Sequence, residues 1–81
     1  MMHPEQVRAL IAQGLPCEHL QVSGDGQHFE ALIVSAEFVG KSRVQRQQRV
    51  NAVLQHYFNS GELHALSMQT RTPEEWSAAR G

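Results

Sequence analysis

Phe38 to Phe58, FVGKSRVQRQQRVNAVLQHYF, decides the fold. Val44, Val50, Val53, Leu54, Tyr57 and Phe58 fall at helical spacing, and the last five run i, i+3, i+4, i+7, i+8. This is the apolar stripe of one long helix lying on a core. Ser42 followed three residues later by Gln45 is a capping-box signature, which starts the helix at Ser42. Asn59, Ser60 and Gly61 stop it, with Gly61 suited to the left-handed cap. Lys41, Arg43, Arg46 and Arg49 lie off the stripe and form a basic face.

Before this helix, Pro4 and Glu5 open a first helix whose stripe is Val7, Leu10 and Ile11, closed by Gly14 ahead of Pro16. Glu18 to Ser23 is expected as a strand, with Leu20 and Val22 on one face. Gly24-Asp25-Gly26 is a turn, and His28 to Ser35 is a second strand whose near-continuous apolar run places it centrally in a sheet. Ser35 to Phe38 makes a short helical turn. After the long helix, Leu63 to Thr70 is the third strand. Thr72 and Glu75 form another capping box and start a last helix anchored by Trp76.

The fold class is therefore α+β, in the order α-β-β-α-α-β-α with a three-stranded mixed sheet. The first two strands form an antiparallel hairpin. The second and third are joined by a helical crossover long enough to make them parallel neighbours. Parallel strands begin at the same sheet edge, so His28 and His64, expected to open the second and third strands, should share one end of the domain.

Residues 1–81 make one small domain, which can hold one core layer but no deep enclosed pocket. Seven basic and eight acidic side chains give a net charge of −1, which does not draw the whole molecule to phosphate backbones or anionic membranes. Cys17 is the single cysteine, so an internal disulfide and a thiolate-built zinc site are both excluded. A lone thiol, a start without the charge-then-apolar pattern of a secretory signal, and no apolar run of membrane-spanning length set the expectation of a cytoplasmic protein.

His28 and His64 are candidate ligands for a borderline transition metal, with the rest of the shell supplied by a partner or a small thiol. The plainer alternative makes His64 a half-buried strand residue and His28 a turn residue. Cys17 reads as a small hydrophobe. The basic face of Lys41, Arg43, Arg46 and Arg49 is either a phosphate contact or a solvated surface. The glycine pair of a GxxG nucleic-acid loop is incomplete, since the stretch is Gly40-Lys41-Ser42-Arg43. No nucleophile-base-acid set and no glycine-rich phosphate loop is present, so an enzyme is not expected.

GDGQHF entering the second strand, ALIVSAEFVGKS, RVNAVL within the long helix and LHALSMQTRTPEEW near the end together resemble the BolA family over nearly the whole chain, and most closely its bacterial acid-stress branch. The resemblance implies a class II KH-like fold. It also implies a heterodimer with a monothiol glutaredoxin, sharing a bridging 2Fe–2S cluster used in iron–sulfur trafficking or in iron and redox sensing. The glutaredoxin cysteine and glutathione would hold one iron, and His64 and His28 would hold the other, with no cofactor in the isolated chain. Alone, the chain is expected as a monomer or weak homodimer. Some members are described as DNA-binding regulators, a role the basic helix face would serve. Many members read Arg-His-Arg where this chain has Arg46-Gln47-Gln48, and Cys17 matches no family motif.

Overall fold

The computed structural model describes residues 2–80. Its elements are α1 (Pro4–Gly14), β1 (His19–Gly24), β2 (His28–Val34), a 3-10 turn (Ala36–Phe38), α2 (Arg43–Ser60), β3 (Ala65–Arg71) and α3 (Pro73–Ala79). The sheet order is β1-β2-β3, with β1 antiparallel and β3 parallel to β2. The α+β architecture and mixed sheet are those expected.

Alternation along the strands builds two faces. Leu20, Phe29, Ala31 and Ile33 turn to the core, where they meet Val7 and Ile11 of α1 and Val50 and Leu54 of α2. His28, Glu30 and Leu32 turn to the opposite face, together with Ser67 and Gln69. α3 covers the far end of that face, with Trp76 stacked on His19 at 4.8 Å between ring centroids. Trp76 therefore anchors α3 outside the main core, and α3 itself has no buried residue.

Both capping boxes form in full. Gln45 N–H donates to Ser42 Oγ (3.2 Å) while Ser42 N–H donates to Gln45 Oε1 (2.9 Å). Glu75 N–H donates to Thr72 Oγ1 (3.1 Å) while Thr72 N–H donates to Glu75 Oε1 (2.8 Å). Two end-on donors are satisfied reciprocally at each helix start. Gly61, at φ 82°, closes α2 in the left-handed conformation.

Two local expectations are corrected. β3 starts at Ala65, not Leu63. Leu63 N–H closes back on the Tyr57 carbonyl (3.0 Å) and its side chain is buried, so this residue finishes the helix end and His64 precedes the strand. Val44 lies 62% exposed because the first turn of α2 overhangs the core that Val50 and Leu54 fill. Gly14 ends α1 as expected, and Leu15 takes the cap position in extended backbone. A Cβ on Gly14 would lie 2.6 Å and 2.9 Å from the two γ-carbons of Val53, so close packing of α1 on α2 is what calls for glycine there.

Candidate metal centre

The turn that delivers His28 is held by one carboxylate. Asp25 Oδ1 accepts the N–H groups of Gln27 and His28, both at 2.9 Å. Those bonds, with that of His28 first, hold the Asp25 carboxyl below the usual carboxylate range. Gly26 takes φ 96°, which a side chain would strain. These local bonds hold the backbone at His28.

His28 is exposed and sits on β2 opposite Ala65. Its Nε2 lies 3.2 Å from Ser67 Oγ, on the face away from the core. His64 is also exposed and lies one residue before that register pair. It lines a shallow cleft of about 380 Å³ with Gly26, Gln27, Ser60, Gly61 and Glu62. Both histidines therefore stand at the same end of the sheet, where the turn after β1 meets the turn after α2. The His28 ring reaches Ser67, and His64 lines the cleft.

Two imidazoles are an incomplete shell for a metal. Among the described residues, no three His, Cys, Asp or Glu side chains cluster to hold an ion. Cys17 is remote from this end. It precedes His19, which pairs with Val34 at the far end of β2, and seven strand residues separate that end from His28 by roughly 20 Å. Its thiol lies 3.2 Å from the Leu15 carbonyl, and burial pushes its pKa up. A half-buried, protonated thiol is a packing group.

The basic face of α2 is divided. Arg46 is an internal tie: it forms a two-pronged contact with the Glu75 carboxylate (2.8 and 3.3 Å) and donates to the Lys41 and Thr70 carbonyls. Arg49 bonds Glu37 (3.1 Å) and the Gly14 carbonyl (3.1 Å). Arg43 is exposed, and Lys41 is half-buried without an ion pair among the described residues. The sequence carried no sign of this division, because Glu75 and Glu37 lie 29 and 12 residues from their partners.

A three-stranded mixed sheet with two helices on one face and a pair of exposed histidines at one end defines a small α+β domain built to present side chains at its rim. The chain matches the family model described as BolA-like protein over residues 6–75. It is 35% identical over 79 residues to the acid stress protein IbaG of Escherichia coli K12, covering 98% of this chain and 94% of that one. It is 42% identical over 60 residues to the DNA-binding transcriptional regulator BolA of Haemophilus influenzae, covering 74% and 57% of the two chains. The crystal structure of a bol-like protein from Babesia bovis superposes with a TM-score of 0.86 at 30% identity, covering 100% of this chain and 96% of that one. The chain belongs to the BolA family. Among the described residues, no helix is long and apolar enough to cross a membrane.

Proposed function

We propose that this chain is a non-catalytic adaptor that docks on a monothiol glutaredoxin and contributes His64 and His28 to a shared 2Fe–2S cluster. The observation that carries this reading is that two exposed histidines stand at the same end of the sheet, beside turns of small residues that leave them open to a partner. Neutral imidazole nitrogen suits iron, and histidine ligation in place of thiolate raises a cluster's potential. The partner's cysteine and glutathione would complete the shell that the two histidines leave open. Asp25 holds the His28 backbone in place, and the Ser67 hydroxyl is placed to orient its ring.

The test is visible circular dichroism of the protein mixed with a cluster-loaded monothiol glutaredoxin. The wild-type chain should change the cluster spectrum. His64→Ala should return it to that of the glutaredoxin alone, His28→Ala should do so in part, and Cys17→Ser should leave the change intact. An unchanged spectrum with wild type removes the adaptor reading, and loss with Cys17→Ser equal to loss with His64→Ala removes the ligand assignment.

The second reading, DNA binding through the basic face, is supported by the name of the Haemophilus influenzae relative and by the exposure of Arg43. With Arg46 and Arg49 bound internally, its affinity should fall only shallowly with salt, since few phosphates would be neutralised.

A further inference from the structure

β3 is an edge strand, and a cleft of about 500 Å³ runs along its outer side. Met68–Arg71 line one side, Arg43 and Arg46 of α2 the other, and Glu75 the end. Successive peptide groups of a strand point to opposite sides. The Arg71 carbonyl accepts from Ser35 N–H (3.0 Å) on the β2 side. The Thr70 carbonyl instead accepts from the Arg46 and Arg71 guanidiniums (3.3 and 3.2 Å) on the outer side. Leu66 and Met68, in phase with Thr70, therefore turn their peptide N–H and C=O groups outward.

The cleft is positively charged. Three guanidiniums face one carboxylate, and that carboxylate is taken by Arg46. Arg43 and Arg71 have no acidic partner among the described residues. An outward row of peptide groups beside unpaired guanidiniums is complementary to an added strand that carries carboxylates.

We propose that this cleft accepts an extended, acidic segment of another protein. Its backbone pairs with Leu66 and Met68, and its carboxylates reach Arg43 and Arg71. A nucleic acid is the poorer occupant, because two unpaired guanidiniums beside the Glu75 carboxylate offer little footing to a chain charged at every nucleotide. A second copy is disfavoured by like charge: edge-to-edge pairing across a two-fold axis would bring both sets of Arg43, Arg46 and Arg71 together. The cleft borders the half of β3 that pairs with Ala31–Val34, and the outward peptide groups continue from it to Leu66.

This inference is independent of the metal reading, and its test contains neither metal nor glutaredoxin. The isotope-labelled chain is titrated, with amide NMR as readout, with a blocked seven-residue peptide alternating acidic residues and valine. Controls are the same peptide with lysine for every acid, the same peptide N-methylated at every second residue, and a single-stranded DNA octanucleotide. Amide shifts should map to 66–71 and to Arg43, weaken with salt, and be absent with the lysine and N-methylated peptides. Arg43→Glu, at an exposed position, should weaken binding about tenfold or more with the rest of the spectrum unchanged. Arg71→Gln should weaken it as well. Absence of shifts, shifts elsewhere, or binding indifferent to N-methylation or to Arg43→Glu overturns the proposal. Tighter binding of the octanucleotide at the same amides replaces the peptide with nucleic acid.

Discussion

Gly14→Ala sets two effects against each other, and the structure decides the sign. Alanine is favoured over glycine within a helix by up to about 1 kcal/mol, so propensity alone makes this substitution stabilising. The new methyl would meet Val53 Cγ1 at 2.6 Å and Cγ2 at 2.9 Å. Rotating Val53 about χ1 does not clear both contacts, because both γ-carbons already crowd the position. α1 and α2 must separate, and overpacking of this kind costs about 1–3 kcal/mol. The Arg49 bond to the Gly14 carbonyl spans the same contact and would stretch with it. The net expectation is a loss of about 1–2 kcal/mol, which lowers the melting temperature of a chain this size by roughly 4–16 °C. Thermal unfolding followed by circular dichroism reads this directly. Val53→Ala in the same chain should remove the clash, so the double variant should be more stable than the two single losses sum to, by about 1 kcal/mol or more. A melting temperature for Gly14→Ala above that of wild type would refute the packing argument and leave helix propensity as the whole effect.

Two further perturbations test the joints around the sheet. Ser35 is fully buried, donates to the Pro16 carbonyl (2.6 Å) and accepts from Glu37 N–H (3.1 Å). Ser35→Ala leaves both groups without that partner and should lower stability by about 2–3 kcal/mol in urea unfolding with an unchanged m value; a loss under about 0.5 kcal/mol would show that the joint is not needed. Glu75 is pulled down to about 2, first by its bond to the Arg46 guanidinium and then by the Thr72 N–H. The unfolded chain therefore takes up this proton first, near the ordinary value of 4.5, so the stabilisation is full above that pH and fades as pH falls to about 2. The difference in urea midpoint between wild type and Glu75→Gln should shrink across that window, and a constant difference would disprove the linkage.

What could be seen in the sequence was whatever depends on near neighbours. Ser42 with Gln45, and Thr72 with Glu75, are three residues apart, so each helix start could be located before any packing was known. The parallel pairing of β2 and β3 followed from the length of their connection. Val44 misled because a helical stripe assumes that the core extends the full length of the helix, and α2 begins beyond it. The start of β3 was misplaced because Leu63 serves the helix end instead of the strand. Arg46 and Arg49 could not be separated from Arg43, since only the folded chain brings Glu75 and Glu37 to them. The shared end of His28 and His64 was legible from strand direction. The position of His64 one residue ahead of the His28–Ala65 pair was not, because it depends on the register of the strands.

That register bears on how any metal centre here could be completed. β1 and β2 are locked antiparallel through six pairs, from His19–Val34 to Gly24–Phe29. Cys17, just before the first pair, and His28, just before the last, are therefore held at opposite ends of the hairpin. A slip of one residue would not bring them together, and would turn the core-facing residues of one strand, Leu20 of β1 or Phe29 and Ile33 of β2, out of the core. Bringing the Cys17 thiol and the His28 imidazole to one ion would require unpairing the hairpin. The histidine end can thus offer imidazole but no thiolate of its own, and a cluster seated there must take its sulfur ligands from another molecule.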